Sequence, residues 1–439
     1  MEFIKETLKA IKYNIILQSL QLLFLIIIYY LIPNDFKIMF FWLTLIFFYR
    51  SLFLINFNEN NLEKVKKFYS NANFSIIIIS TILCLFLIII SIFIEEYSEI
   101  LKFTAILLFL SSFSIVPESF LKSRKDYKRL FYSRLISQLG FILGLFLAYK
   151  KISEAIFYAY IMYYIIYVYK LYKTLPISIK PKKGKINLTL KLPSIKYLYY
   201  IFTFIIFGAD FFAFNLILIE ISYFVKNVFS FLISYYNNFS TTEDKEELLK
   251  LNYIRLHEYI YFFSMPYYAI LLTFLNEFLK FLSYEKYTLE AYIILAIGFL
   301  NIDFTNMILY AKQKTKAIKN LNLLKLILFI FVILTSIFGL KIFIISFFIY
   351  SLLIKLTNIL IMKNNLNLDI ITKDYFYVFF AASISTLIML FLKEYLSTTI
   401  INLILIILIG KLVYILIVYL LSKEMLKRLI KYIFSEQNQ

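Results

Sequence analysis

The sequence predicts an all-α polytopic membrane protein with about 14 transmembrane helices. The first observation is composition: of 439 residues, 62% are hydrophobic, and the mean hydropathy is +0.80. A water-soluble domain averages about 45–50% apolar residues, and a single soluble core stops growing at about 250–300 residues. The excess therefore indicates burial in lipid, and it argues against a soluble enzyme, a coiled coil, a collagen or a disordered chain.

The second observation is the length of the apolar runs. A spanning helix needs about 20 mostly apolar residues, and charge clusters, Pro and Asn separate such runs along the chain. The runs are apolar at consecutive positions, which favours helices over strands of alternating polarity. The predicted spans are 13–32, 36–56, 73–94, 98–121, 130–149, 153–173, 197–219, 221–238, 257–281, 287–312, 320–339, 341–362, 374–392 and 397–421.

The distribution of basic residues supports this segmentation. Of the 46 Lys and Arg residues, 33 lie in or beside loops on the side of the N-terminus, and 8 lie on the other side. Basic residues collect in cytoplasmic loops, so we expect a multi-pass protein of the cell (cytoplasmic) membrane with both termini cytoplasmic. Residues 1–12 are predicted to form a short amphipathic helix at the membrane surface.

Spans and loops also predict an internal repeat. Residues 174–196 hold three of the six prolines and a basic run, which is typical of a cytoplasmic linker. Six spans on either side would form two lobes in the same orientation, an arrangement found in transporters. The predicted parts are an N-lobe at 1–173, the linker at 174–196, a C-lobe at 197–365, and a last helix pair with a cytoplasmic tail at 366–439.

Residue usage gives no sign of an enzyme, and we expect no catalytic residue, cofactor or metal. Cys84 and His257 are the single cysteine and the single histidine, which excludes a disulfide framework and a Cys- or His-based metal site. ATP-binding, HExxH, CxxC and GxSxG motifs do not occur in the sequence.

Ionisable residues inside spans are the candidate functional residues, because charges in lipid are expensive. Long cations near a span end have the alternative of extending to the interface. Asp303 is the most deeply placed carboxylate, and Glu118 follows Pro117 close to the cytoplasmic end of the fourth span. The full set is Arg50, Glu118, Asp210, Lys226, Asp303, Lys355 and Lys411.

Two of these cations occupy matching spans of the predicted lobes. Arg50 lies in the second span and Lys226 in the eighth, the second span of the other lobe. If both face the interface between the lobes, they form an anion-binding site. Asp210, Asp303 and Glu118 are the candidate coupling or cavity carboxylates.

Several stretches resemble the polysaccharide (O-antigen, Wzx-type) flippases of the multidrug/oligosaccharidyl-lipid/polysaccharide exporter superfamily. The stretches are VPESFL at 116–121 with YKRL at 127–130, MP at 265–266 with YEKY at 284–287, and ILYAKQK at 308–314. Asp210 falls where many relatives have an Asp late in helix 7. The family glycine in the turn before helix 10 is replaced here by Ser283 or Tyr284, and the Gly-rich turn between helices 7 and 8 is missing.

The resemblance implies two six-helix lobes around a cavity lined by helices 1, 2, 7 and 8. It implies alternating-access transport of an oligosaccharide carried on a polyprenyl pyrophosphate, for surface polysaccharide or glycan assembly. Arg50, Asp210 and Lys226 lie on the family's cavity helices, whereas Asp303, Lys355 and Lys411 do not. Arg50 and Lys226 would then hold the pyrophosphate through charge-assisted hydrogen bonds, and the basic loop 122–134 would attract anionic headgroups.

The expected partners are the lipid-linked oligosaccharide, membrane lipids, and a glycan polymerase or glycosyltransferases, with no nucleic acid. Two other functions remain open at this point. One is a drug/cation antiporter of the same superfamily, which the basic cavity candidates argue against. The other is a polytopic glycan polymerase or glycosyltransferase, which the short outer loops argue against.

Overall fold

The computed structural model describes residues 2–31, 33–53, 62–94, 97–124, 126–147, 155–175, 195–229, 246–302, 305, 309, 314–366, 372–396 and 399–434. Within these ranges the chain forms helices and no β-strand element, so the predicted all-α class is confirmed. The helices are α1 (Glu2–Leu31), α2 (Pro33–Ser51), α3 (Leu62–Phe93), α4 (Ser98–Ser123), α5 (Tyr127–Leu147), α6 (Ala155–Thr174), α7 (Ile195–Ser222), α8 (Phe224–Phe229), α9 (Glu246–Phe281), α10 (Thr288–Leu300), α11 (Thr315–Thr335), α12 (Leu340–Leu366), α13 (Lys373–Tyr395), α14 (Ile400–Leu421) and α15 (Lys423–Phe434).

Each of α1 to α14 overlaps a predicted span, and α7 also includes the first two residues of the span 221–238. In the described part of the chain, eight helices are long and apolar enough to cross a membrane, and they lie in α3, α4, α7, α9, α11, α12, α13 and α14. The count of fourteen crossings therefore stays a prediction. The segment 1–12 has no break before the first span, because Glu2–Leu31 is one helix without an internal Gly or Pro.

The chain forms two compact units. The N-unit comprises Lys12–Ile217, and the C-unit comprises Leu218–Gln439 with Met1–Ile11. The helix α7 runs from the N-unit into the C-unit. The predicted linker lies largely outside the described residues, so the predicted lobe boundaries stay a prediction.

A close helix pair organises part of the N-unit. Gly140 and Gly144 lie one turn apart on α5, and a Cβ atom built on Gly144 would lie 2.5 Å from the Cα of Ala159 on α6. A Cβ built on Gly140 would meet a backbone carbonyl oxygen of α6 at 2.9 Å. The two backbones therefore approach as in the small-xxx-small contacts of membrane helices.

The described part of the C-unit contains helix ends that are capped by side chains. The phenol of Tyr267 donates to the carbonyl oxygen of Ile221 over 2.7 Å, and Tyr268 donates to the next carbonyl, that of Ser222, at the end of α7. These bonds satisfy carbonyl groups that a helix end leaves without intrahelical partners.

Polar contacts join both ends of α13 to neighbouring helices of the C-unit. Lys393 on α13 forms an ion pair of 2.7 Å with Glu277 on α9. At the other end, Asp374 accepts from Arg428 on α15 over 2.9 Å and from Ser422, where α14 ends. Asp374 thus fixes the bend between α14 and α15.

Ser283, in the turn after α9, adopts a backbone conformation that favours glycine. Its φ is 59°, in the left-handed region, whereas Tyr284 has an ordinary negative φ of −120°. The replacement of a family glycine by Ser283 or Tyr284 stays a prediction.

Candidate functional site

Arg50 and Glu118, two residues singled out in the sequence, are brought together in the N-unit. The Nη2 atom of Arg50, in the last turn of α2, donates to Oε1 of Glu118 on α4 over 2.9 Å. Its Nη1 atom donates to the hydroxyl of Ser114 over 2.8 Å and to the carbonyl oxygen of Ser111 over 3.3 Å. The side chain of Arg50 is 17% exposed and that of Glu118 is 9% exposed, so the ion pair is largely withdrawn from solvent.

A second arginine binds the same carboxylate. Arg134 on α5 donates from Nη2 to Oε2 of Glu118 over 3.1 Å and from Nε to the phenol oxygen of Tyr167 over 3.2 Å. Tyr167 on α6 in turn donates to Oε1 of Glu118 over 2.7 Å. Arg50, Glu118, Arg134 and Tyr167, the arginine cluster, contain two guanidinium groups for one carboxylate and carry a net formal charge of +1.

Sequence reasoning missed Arg134. It was grouped with the basic loop 122–134, but α5 already begins at Tyr127 and places Arg134 two turns inside the helix. The sequence signal that could have pointed to this region is the pair Gly140 and Gly144, because small residues four positions apart favour close packing of two membrane helices. Their close contact with α6 positions Arg134 beside Tyr167.

Aromatic rings complete the surroundings of Arg50. The Cζ atom of Arg50 lies 5.4 Å from the ring centroid of Tyr164 on α6, within the range of a cation–π contact. Tyr163 packs edge-on against Tyr164 and is tilted against Tyr167. The site therefore combines an excess of positive charge with tyrosine rings.

Asp210 also lies in the N-unit, and it forms an ion pair with Lys37 at the start of α2. The side chains are 58% and 23% exposed, respectively. A carboxylate this exposed inside a predicted span is expected to face water rather than lipid.

Lys226 lies in the C-unit, on α8, and its ammonium group is 5.2 Å from the ring centroid of Tyr223. Arg50 and Lys226 thus belong to different units. Their joint binding of one anion stays a prediction.

Lys355 on α12 caps a helix end in the C-unit. Its Nζ atom donates to the carbonyl oxygen of Ile302, just after the end of α10, over 2.8 Å, and to the phenol oxygen of Tyr261 over 2.7 Å. The phenol of Tyr261 donates to the same carbonyl over 3.1 Å. We refer to these three groups as the lysine cap; a cation at a helix C-terminus is favoured by the partial negative charge there.

Lys411 is exposed on α14, and Asp303 lies outside the described residues. Among the described residues, no group of three or more His, Cys, Asp or Glu side chains could hold a metal ion.

Comparisons with known proteins give two findings. Residues 51–239 match a family described as polysaccharide biosynthesis protein, a stretch that contains Glu118, Arg134, Asp210 and Lys226. A solved structure of the lipid II flippase MurJ in an inward closed conformation matches with a TM-score of 0.54 and 16% identity, covering 97% of this chain and 99% of that chain. A search of curated proteins finds no match.

These findings confirm the resemblance predicted from the motifs. The family match covers the end of α2 and extends beyond α8, and the structural match shows that nearly the whole chain shares a fold with MurJ. The chain is therefore a multi-pass helical membrane protein that shares the fold of MurJ and, over residues 51–239, resembles a polysaccharide biosynthesis family.

Proposed function

We propose that this chain is a transporter, not an enzyme, and that it flips a polyprenyl-pyrophosphate-linked oligosaccharide across the cell membrane by alternating access. The observation that carries the proposal is the shared fold with a lipid II flippase over 97% of the chain. The family match to polysaccharide biosynthesis supports a lipid-linked glycan as cargo.

The arginine cluster supports the choice of a pyrophosphate headgroup. The arginine cluster carries one net positive charge, from two guanidinium groups and one carboxylate, in a region of low exposure where electrostatic attraction is strong. Guanidinium groups bind phosphate through paired, charge-assisted hydrogen bonds. Arg50 is the proposed headgroup contact in the N-unit, and Lys226 is its proposed counterpart in the C-unit.

The carboxylates have different proposed parts. Glu118 balances the two arginines when no substrate is bound, and Asp210 and Asp303 serve as cavity or coupling carboxylates. Both termini are proposed to be cytoplasmic, and a glycan polymerase or glycosyltransferases are the proposed protein partners.

The test is transport by the purified protein in liposomes. A polyprenyl-pyrophosphate oligosaccharide with a fluorescent sugar is placed in both leaflets, and a membrane-impermeant quencher reports how fast the inner pool reaches the outside. The expected result is flipping that depends on the protein and is lost with a matched lipid-linked sugar lacking the pyrophosphate. Flipping no faster than in empty liposomes would overturn the proposal.

The same preparation separates the two alternatives. Uptake of a cationic dye against a proton gradient, without glycolipid flipping, would favour a drug/cation antiporter. Growth of the sugar chain, measured by mass spectrometry, would favour a polymerase or glycosyltransferase. In these transport assays the Lys411→Met variant, which removes an exposed cation, is the control for loss of a positive charge outside the proposed binding site.

A further inference from the structure

The helix α7 is broken at Gly208. This residue has φ 81° and ψ 178°, which no helical residue adopts. A Cβ atom built on Gly208 meets nothing within 4 Å, so crowding by neighbours does not explain the glycine. The backbone conformation itself requires it, because φ values in this region strain other residues.

The helix α2 contacts α7 on both sides of this break. The ring of Phe41 stacks on Phe204, one turn before Gly208, at a centroid distance of 4.0 Å. Phe41 also lies 6.2 Å from Phe212, one turn after the break, in an edge-on arrangement. Phe204 and Phe212 themselves touch edge-on at 5.4 Å, so the three rings hold the two halves of α7 in a bent arrangement.

An ion pair lies beside the same break. Asp210, two residues after Gly208, pairs with Lys37, which is one turn before Phe41 on α2. The pair is partly exposed, so water can replace either partner and the contact can open at low cost. By contrast, residues 211–219, just after Asp210, are buried. Because tight packing restricts this segment, a change in the angle of α7 is expected at Gly208, with opening of the Lys37–Asp210 ion pair.

We infer that Gly208 is a hinge in α7 and that the Lys37–Asp210 ion pair is its latch. Closed, the latch holds the bent helix against α2; open, it lets the halves of α7 change their angle. Because α7 is the helix that leads from the N-unit into the C-unit, a change at this hinge is transmitted along the chain to α8. The idea that the latch opens and closes during transport rests on the proposed function, whereas the hinge at Gly208 does not depend on that function.

The hinge is tested by distance measurement without a transport assay. In a Cys84→Ala background, spin labels replace Ile205 and Glu220 on either side of the break, about 22 Å apart along an unbroken helix. We expect Lys37→Asp and Asp210→Lys each to shift the distance distribution, and the Lys37→Asp/Asp210→Lys exchange to restore it. Unchanged distributions in both single variants would overturn the latch.

The glycine has a matched control within the chain. Gly339 has a φ of 99°, and a built Cβ there also meets nothing within 4 Å, but it lies in the turn before α12. Gly208→Ala and Gly339→Ala therefore impose the same kind of backbone strain. We expect the label distance to change only in Gly208→Ala, and an equal change in both variants would overturn the hinge.

The step in the cycle is tested by locking the latch. A Lys37→Cys/Asp210→Cys protein in the Cys84→Ala background is joined by a short reducible thiol crosslinker and assayed for flipping before and after reduction. We expect at least a tenfold loss when joined and recovery on reduction. Full activity while joined would show that the latch need not open. Inactivity of the unmodified protein would count against the proposed function and not against the hinge.

Discussion

The arginine cluster of the N-unit and the lysine cap of the C-unit place cations inside predicted spans by different means. In the arginine cluster, two guanidinium groups converge on the carboxylate of Glu118. In the lysine cap, the ammonium group of Lys355 donates to neutral oxygens, a phenol and a helix-end carbonyl. A charge inside a predicted span is therefore not by itself a binding site: Lys355 joins α12 to a phenol and a backbone carbonyl after α10, whereas the arginine cluster brings two guanidinium groups to one carboxylate.

The largest expected effect comes from removing the shared anion. Glu118→Gln keeps the shape of the side chain but leaves two guanidinium groups without their counter-charge. Breaking a buried ion pair in this way costs about 3–5 kcal/mol of unfolding free energy. Titration of the purified protein with SDS in mixed micelles, followed by fluorescence of the single tryptophan Trp42, measures the loss in the N-unit.

The control for that variant is Glu424→Gln. Glu424 is 78% exposed and pairs with Lys427 at 3.1 Å on α15, and an exposed pair contributes about 0–1 kcal/mol. Equal losses in the two variants would show that the arginine cluster is no more than a surface ion pair.

The next largest loss of stability is expected when the tyrosine hydroxyl of each site is removed, and its size should differ between the two sites. Tyr167→Phe removes two bonds to charged groups, Glu118 and Arg134, each worth about 1.5–3 kcal/mol. Tyr261→Phe removes one such bond, to Lys355, and one neutral bond to the Ile302 carbonyl worth about 0.5–1.5 kcal/mol. Tyr167→Phe should therefore be the more destabilising change. Paired SDS titrations, followed by circular dichroism, check the order, and the reverse order would contradict the contrast between the sites.

A smaller effect tests the packing that positions Arg134. Gly144→Ala forces a methyl group against the backbone of α6 and should cost about 1–3 kcal/mol. In the C-unit, a Cβ on Gly410 meets the flexible side chain of Met389 at 2.4 Å, which can rotate away, so Gly410→Ala should cost less. Thermal unfolding of both variants in detergent measures the difference; a larger loss for Gly410→Ala would count against rigid packing of α5 on α6.

The smallest effect is expected for Lys355→Met. Lys355 is partly buried, Met has a similar volume and no charge to desolvate, and the carbonyl of Ile302 still accepts from Tyr261. The unfolding free energy should change by less than about 1 kcal/mol. A loss as large as that of Glu118→Gln would mean that the two sites do not differ.

Much of the fold could be predicted from the sequence because apolar run length and basic loops are one-dimensional signals. That Arg50 and Glu118 each need a polar partner could also be predicted, since a charge inside a span is costly without one. Their pairing was not, because contacts between α2 and α4 depend on tertiary packing. Arg134 falls both in the basic stretch 122–134 and in the predicted span 130–149, and its basic neighbours favoured a loop role over a charge inside the span.

Backbone features were the least predictable part. The break at Gly208 follows from a φ value that glycine permits but does not require, so its presence before Asp210 gave only a weak signal. Ser283 adopts the left-handed conformation of the turn after α9 without being glycine. The surrounding structure, rather than local preference, therefore sets both conformations.

We propose that Arg50 contacts the pyrophosphate headgroup of a flipped glycolipid, whereas Lys355 stabilises the contact between α12 and the residues after α10. The most direct measurement is the rate of glycolipid flipping in liposomes by Arg50→Met and Lys355→Met, at equal amounts of folded protein. We expect the flipping rate of Arg50→Met to fall at least tenfold, the equivalent of about 1.4 kcal/mol. The flipping rate of Lys355→Met should stay near that of the unmodified protein. Equal rates in the two variants would contradict this proposal.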